Sequence, residues 1–197
     1  MKTIGNFLFK YRSYTPLPFL LLMILFMNPT LTSMLAGFLL VLSGEIIRIL
    51  SVSYAGSETR TTSGVGGSNL VTQGPYSVIR NPLYAGNILI YSGFGIMSNS
   101  LFPYLQLAGV LYFSLQYYAI ILNEENYLRN NFKEEYRIYE AHVMRFFPFP
   151  KSLPSNARSN LKFNLKSGLI SEKRSLQSCF LTLAIIFYFF ISGVKIF

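Results

Sequence analysis

The apolar stretch "LTSMLAGFLLVLSGEIIRILSVSY", residues 31–54, decides the class of fold. It exceeds the roughly 20 apolar residues that a helix needs to cross a bilayer. Glu45 and Arg48 interrupt it, three residues apart on one helical face. Because a charged group inside a span costs at least ~2.5 kcal/mol on insertion scales, such residues face a partner or a cavity. The stretch therefore predicts a membrane helix in which the two residues pair with each other, snorkel toward the boundary or line a ligand pocket.

Composition and four further apolar segments extend this prediction to the whole chain. The 197 residues are 51% hydrophobic, with a mean hydropathy of +0.38. The other segments are 16–27, 82–97 with its flanks, 103–123 and 176–193. The first of them is short and contains two prolines. We predict an all-α integral membrane protein with about five transmembrane helices, forming one domain over residues 1–197.

The net charge of +9 is distributed unevenly along the chain. With five spans, every Lys and Arg except Arg48 and Lys195 lies on the side of the N-terminus, the 55–81 loop and the 124–175 segment. The positive-inside rule assigns that side to the cytoplasm. We therefore expect a bacterial inner-membrane protein whose positive charge meets membrane lipids and no nucleic acid. The oligomeric state cannot be read from this pattern.

Several kinds of chemistry are excluded by the residue inventory. Cys179 is the sole cysteine, His142 the sole histidine, and aspartate is absent. These counts exclude a disulfide framework, a cysteine metal site and a serine–histidine–aspartate triad within this chain, so no metal site is predicted. The "GVGG" of the polar 55–75 loop lacks the spacing of a dinucleotide fingerprint.

A second pattern predicts a helix that continues the fourth span. Its apolar residues recur at intervals of three or four, at Leu128, Phe132, Tyr136, Tyr139 and Val143. The prolines of "RFFPFP" should stop this helix.

The following residues, 151–175, are basic, with apolar residues at steady intervals of four. This pattern is typical of an interfacial helix on anionic lipid, although "LKFNLK" leaves a strand-like or disordered alternative open. The last transmembrane helix would cover 176–194.

Polar residues cluster at two helix boundaries. In "GPYSVIRNPLYAG", residues 74–86, Asn81 fits a cap position and Pro82 the first turn of a span. Those roles leave Arg80 and its tyrosine neighbours unexplained. In "NEEN", residues 123–126, adjacent glutamates point about 100° apart on a helix, so at most one faces any single pocket. They fit either a solvated helix end or a carboxylate for a cationic or diol-bearing ligand.

Two blocks of sequence resemble a known family. "NLVTQGPYSVIRNPLYAG", followed after one span by "EENYLRNNFKEEYRIYEAHVMRFFP", looks like the membrane methyltransferases related to isoprenylcysteine carboxyl methyltransferase and the bacterial phospholipid methyltransferases. The resemblance covers about residues 45–148, which we take as the catalytic core. Both blocks match in the right order with a span between them.

The resemblance implies transfer of a methyl group from S-adenosylmethionine, bound in a cytoplasmic pocket, to a lipophilic acceptor or lipid from the bilayer. It assigns cofactor binding to Asn69, Leu70, Val71, Tyr76, Asn81, Pro82, Leu83, Tyr84, Glu124 and Glu125. It assigns roles near the reaction to Arg80, Glu125 and Arg145. These residue types suit the cofactor because a sulfonium is attracted to aromatic faces, while amino and hydroxyl groups require acceptors.

This chain departs from the family pattern at three places. Asn81 stands where the family usually has histidine, and Lys133 stands where it has glycine. Ile120 and Ile121 occupy the turn where isoprenylcysteine enzymes carry an arginine thought to meet the substrate carboxylate. A prenylated carboxylate is therefore not the expected acceptor, and amine, thiol, hydroxyl and other carboxylate acceptors stay open.

Two other functions fit the same resemblance. The chain would be a non-catalytic membrane protein that binds lipid or a partner, or a nicotinamide-dependent reductase, since membrane sterol reductases resemble the family in their C-terminal region. Low methyl turnover despite cofactor binding would indicate the first, and nicotinamide nucleotide binding the second.

Overall fold

Six helices and one short 3-10 turn make up the described part of the chain. The computed structural model describes residues 2–56, 69–148, 153–154, 159 and 161–196, without the side chains of residues 2–6. The helices are α1 (Lys2–Tyr11), α2 (Leu17–Leu25), α3 (Leu31–Ala55), α4 (Pro82–Ser98), α5 (Tyr104–His142) and α6 (Leu165–Ser192), with the 3-10 turn at Gly74–Ser77. These residues include no strand, which confirms the all-α prediction.

Three of the helices, α3, α5 and α6, are long and apolar enough to cross a membrane. Helix α2 has nine residues and α4 has 17. At 1.5 Å per residue these correspond to about 14 and about 26 Å, against a hydrocarbon core of ~30 Å. The membrane class is therefore confirmed, whereas the count of five spans is not.

Local side chains define where the long helices begin and end. The Thr30 hydroxyl accepts from the Ser33 N–H at 3.2 Å, and the Ser33 hydroxyl accepts from the Thr30 N–H at 2.9 Å, so a capping box starts α3. The Asn164 side chain accepts from the Ser167 N–H at 3.0 Å and starts α6. Gly193 then ends α6 with a φ of 64°, a conformation that glycine adopts without strain.

Helices α3 and α4 pack antiparallel through facing glycines. Gly37 lies opposite Gly93, and Gly44 lies opposite Gly86. A Cβ at Gly86 would come within 2.9 Å of the Gly44 carbonyl oxygen, so a larger residue would force the backbones apart. This close approach, typical of small residues in membrane helix pairs, brings Arg48 of α3 against α4.

Helix α5 is 39 residues long and bends at Lys133, where φ is 40° and ψ is −109°. Its length of about 58 Å exceeds the hydrocarbon core, so the part after the bend extends beyond the membrane. Tyr136, Tyr139 and Val143 are buried there together, which confirms the predicted apolar face. The helix ends at His142, ahead of the prolines.

Two predicted segments lie partly outside the described residues. These are 57–68, which is most of the polar 55–75 loop, and most of 149–160. Within the predicted basic segment, 165–175 form the beginning of α6, so they continue directly into the last membrane helix. Leu153 packs with the apolar face of α5, and Thr72 bonds Ser159.

Candidate functional site

One cavity of about 1070 Å³ lies among α1, α2, α4, α5 and α6. Nine of the ten residues predicted to bind the cofactor line it. They are Asn69, Leu70, Val71, Tyr76, Asn81, Pro82, Leu83, Tyr84 and Glu124. Arg80, predicted to act near the reaction, lines it too. Glu125 and Arg145 do not belong to the lining among the described residues.

The start of α4 is held by the chain that follows α5. The Arg80 N–H donates to the Met144 carbonyl at 2.8 Å, and the Asn81 N–H donates to the Arg145 carbonyl at 3.3 Å. Asn81 does precede α4, but its side chain makes no cap hydrogen bond and instead donates to the Arg145 carbonyl at 3.5 Å. The predicted cap position is therefore confirmed, although the Asn81 side chain does not accept the hydrogen bond from the first turn that a cap residue usually accepts.

Tyr76 is positioned by the 3-10 turn at Gly74–Ser77. Its backbone carbonyl accepts from the Tyr139 hydroxyl at 2.7 Å, which ties the turn to the far part of α5. Gly74 has a φ of 58°, and a Cβ there would collide with the Tyr54 ring. Burial raises the pKa of the Tyr76 phenol, so this wall group stays neutral at physiological pH.

The two adjacent glutamates face different surroundings, as their 100° offset predicts. The Tyr84 hydroxyl donates to Glu124 Oε1 at 2.6 Å, at the cavity wall. Glu125 is 1% exposed and lies behind the wall, where Arg145 donates to both of its oxygens at 2.9 and 2.7 Å. Glu124, and not Glu125, is thus the carboxylate available to a ligand, which revises the contact predicted for Glu125.

Glu125 belongs to a cluster of two glutamates and three arginines behind the cavity rim. Arg80 lies 3.2 Å from Glu125 and 3.1 Å from Glu140. Arg129 contacts the same two carboxylates, at 3.2 and 2.5 Å. The hydrogen bond from Arg129 lowers the pKa of Glu140 to about 2. Glu125 therefore links Arg80 at the rim to Arg129 and Arg145.

A second polar group in the cavity wall contains Glu172, which the sequence analysis did not single out. Arg48 donates through Nη2 to Glu172 Oε2 at 2.6 Å and through Nη1 to Asn87 Oδ1. Glu45 accepts from the Cys179 thiol at 2.7 Å. Both charged residues of α3 are therefore hydrogen-bonded to α6, in place of the Glu45–Arg48 pair that was one of the expectations. Arg48 lines the cavity, as its alternative interpretation allowed. The sequence feature that could have indicated Glu172 is its position as the one acid within the basic stretch "LKSGLISEKR".

Aromatic rings form much of the deeper wall. Tyr84 and Tyr117 have ring centroids 4.8 Å apart, and those of Tyr91 and Phe113 are 4.5 Å apart. All four rings line the cavity. Deeper in, its wall consists of apolar side chains from α2, such as Met23, and from α4 and α5. Among the described residues, no group of three or more His, Cys, Asp or Glu is arranged to hold a metal ion.

Comparison with known proteins identifies the family. The family model described as "Phospholipid methyltransferase" matches residues 32–135. The cobalt-zinc-cadmium resistance protein CzcN of Cupriavidus metallidurans is 42% identical over 86 residues, which is 44% of this chain and 38% of that protein. The nickel-cobalt-cadmium resistance protein NccN of Alcaligenes xylosoxydans xylosoxydans is 41% identical over 88 residues, 44% of this chain and 39% of the relative.

The match therefore spans well under half the length of either relative. No solved structure matches the chain significantly. The family model covers more than half of the chain, including α3, α4 and most of α5, and the matched region supplies more than half of the residues that line the cavity. The chain is a membrane protein that belongs to the phospholipid methyltransferase family.

Proposed function

We propose that this chain transfers a methyl group from S-adenosylmethionine to a lipophilic acceptor at the cytoplasmic face of the membrane. The observation that carries the proposal is the shared cavity, lined by nine of the ten residues that the family resemblance assigns to the cofactor. Its volume of about 1070 Å³ is at the upper end of the range of single ligand pockets, ~300–1000 Å³, which suits a cofactor together with an acceptor.

The chemistry of the lining supports a sulfonium cofactor. Glu124 accepts from the neutral Tyr84 hydroxyl, so its negative charge remains available for the cofactor's amino group. Tyr76 and Tyr84 offer aromatic faces to the sulfonium. Arg80, held by Glu125 and Glu140, would stand near the cofactor's carboxylate.

Methyl transfer from a sulfonium depends on alignment rather than on acid–base groups. The cofactor leaves as a neutral thioether, so the protein has to hold nucleophile, methyl carbon and sulfur in line and exclude water. A cavity with a polar rim and an apolar, aromatic depth meets both needs. The distribution of Lys and Arg supports the cytoplasmic orientation.

Binding of S-adenosylmethionine to the protein in nanodiscs, measured by titration calorimetry, tests the proposal. We expect saturable binding that Glu124→Gln weakens about tenfold or more, because a charge-assisted hydrogen bond contributes ~1.5–3 kcal/mol. Glu134→Gln is the matched control, since Glu134 is 71% exposed beyond the α5 bend. Folded protein that shows no saturable binding would refute the proposal.

The acceptor would be sought with methyl-labelled cofactor. Membranes containing the protein are incubated with the labelled cofactor, and the extracted lipids are analysed by mass spectrometry. We expect a labelled lipid or small amphiphile that is absent from membranes carrying Glu124→Gln. Cofactor binding without any labelled product would favour a non-catalytic, lipid-binding role.

A further inference from the structure

Helix α6 lies outside the region matched by the family model, yet it forms one wall of the cavity. Five of its lining residues share one helical face and are Glu172, Ser175, Ser178, Cys179 and Thr182. Glu172 is 1% exposed, the most buried of them. A carboxylate at this depth in a membrane protein needs a functional or structural partner.

The position of Glu172 is fixed by the packing of α6 on α3. The Asn164 N–H donates to the Ser53 carbonyl at 2.9 Å, and Gly168 lies so close to Ser53 that a Cβ there would come within 3.1 Å of the Ser53 Cα. Glu172 follows Gly168 by one helical turn and therefore meets Arg48, one turn before Ser53 on α3.

Arg48 is held from two sides and still reaches the cavity. Nη2 donates to Glu172 and Nη1 to Asn87, so α6 and α4 together fix the guanidinium. Its side chain is 13% exposed and lines the cavity, so a ligand there can contact a cation whose position is already fixed.

The two carboxylates of the cavity wall differ in charge compensation. Glu124 bonds a neutral phenol, whereas Glu172 is 2.6 Å from a guanidinium. The Arg48–Glu172 pair is neutral overall. An ammonium head-group there would be repelled by Arg48, and a carboxylate or phosphate would be repelled by Glu172. A neutral hydroxyl would instead donate to Glu172 and accept from the accessible part of the Arg48 guanidinium, which uses both groups without an unpaired charge.

The pair also lies on the acceptor's side of the cavity. Asn87 is five residues into α4 from Pro82, or about 7.5 Å deeper than the rim where the cofactor residues cluster. An amphiphile that enters from the bilayer with its chain among Phe94, Leu105 and Phe113 would bring its head-group to this level.

We propose that Arg48 and Glu172 form the head-group subsite of the methyl acceptor, and that the acceptor is an amphiphile with a neutral hydroxyl, an alcohol or a phenol. This rests on the proposed function. The hydroxyl oxygen attacks the cofactor's methyl carbon, and an O–CH₃ bond forms as the S–CH₃ bond breaks. The bonding pair stays on sulfur, which leaves as a neutral thioether, and the hydroxyl proton passes to the Glu172 carboxylate.

The test compares four probes that carry the same dodecyl chain: 4-dodecylphenol, dodecanol, dodecylamine and dodecanoic acid. Methyl transfer from labelled S-adenosylmethionine is measured for each with the protein in nanodiscs, and cofactor affinity is measured separately by calorimetry. We expect kcat/KM for at least one hydroxyl probe to exceed that for the amine and the acid about tenfold. Faster methylation of the amine or the acid, or no methylation of either hydroxyl probe, would overturn the subsite.

Glu172→Gln tests the residue itself. We expect it to lower kcat/KM for the hydroxyl probe about tenfold or more and to leave cofactor affinity within about twofold, because Glu124 holds the cofactor. Lys173→Gln, an exposed neighbour on the same helix, is the control. Equal losses of cofactor affinity and turnover in Glu172→Gln would contradict the assignment of Glu172 to the acceptor. If the variant does not fold, the preference of the unaltered protein among the four probes tests the subsite instead. Absence of cofactor binding in the unaltered protein would instead refute the proposed function.

Discussion

Replacement of Gly93 by alanine probes the contact on which the α3–α4 wall depends. A Cβ at Gly93 would lie 2.7 Å from the Gly37 carbonyl oxygen, 2.7 Å from Val41 Cγ2 and 2.8 Å from the Val41 N. These distances are about 0.7 Å shorter than the 3.4 Å at which ordinary contact begins. Since two of the three atoms belong to the backbone of α3, the helices must separate to admit the methyl group.

The expected cost follows from overpacking, which destabilises a protein by ~1–3 kcal/mol. Alanine has a higher helix propensity than glycine by ~1 kcal/mol, which offsets part of that cost. We expect Gly93→Ala to lower the free energy of unfolding by about 1 kcal/mol, the middle of the overpacking range less the gain in helix propensity. Gly95 is the control, because it lies two residues along α4 and a Cβ there would sit 3.5 Å from Gln106 Cγ, at ordinary contact distance.

Unfolding in detergent, followed by circular dichroism, measures both variants under the same conditions. Gly95→Ala should be neutral or more stable than the unaltered chain by up to ~1 kcal/mol. Methyl transfer to a hydroxyl probe should fall for Gly93→Ala, since separation of α3 from α4 moves Arg48 away from Asn87. Equal stability of the two alanine variants would refute the inference that facing glycines set the helix separation.

Three further predictions concern α5 and its ionic cluster. Lys133→Gly should raise the free energy of unfolding by about 1–3 kcal/mol in detergent, because the φ of 40° strains lysine and suits glycine. Glu125→Gln should lower the free energy of unfolding by about 3–5 kcal/mol, since three arginines would lose the charge of a buried partner. The loss should lie toward the lower value because Arg129 and Arg145 are partly exposed. Glu140 contributes stability that is fully present above its ordinary pKa of 4.5 and is lost as pH falls toward about 2, so Glu140→Gln should flatten the stability–pH profile in that window.

Controls for these variants come from the same helix. Asn131→Gly replaces a residue within regular helix two positions before the bend and should destabilise the protein by a few tenths of a kcal/mol, ~0.3. Glu134→Gln removes an exposed carboxylate and should change stability by less than ~0.5 kcal/mol. A destabilising Lys133→Gly, a neutral Glu125→Gln or an unaltered pH profile for Glu140→Gln would each contradict the corresponding prediction.

Much of α5 could be predicted from sequence because its features are local. The spacing of Leu128, Phe132 and Tyr136 is a property of one helix, and the structure confirms the buried face. The angle between Glu124 and Glu125 is fixed by helical geometry alone, so only one of them reaches the cavity. The bend at Lys133 coincides with the family's glycine, since a positive φ is what glycine supplies.

Features that depend on a second element were predicted poorly. Asn81 occupies the predicted cap position, but the hydrogen bond of its side-chain amide goes to the carbonyl of residue 145, which sequence could not indicate. The expected Glu45–Arg48 pair gave way to bonds with Cys179 and Glu172, because those residues come from α6, more than a hundred positions away. The count of five spans also stays unconfirmed, since α2 ends after nine residues.

The sequence by itself determined the membrane class, the family blocks and the residues that meet at the cofactor rim. These follow from run length, periodicity and fixed spacing, which are properties of a continuous segment of chain. The tertiary structure alone decided which charges are compensated. Glu125 is covered by Arg145, Glu124 is left to Tyr84, and Arg48 is matched by Glu172. The physical reason is that a buried charge is stabilised by whatever group packing brings within a few ångströms, and distance along the chain does not encode that group.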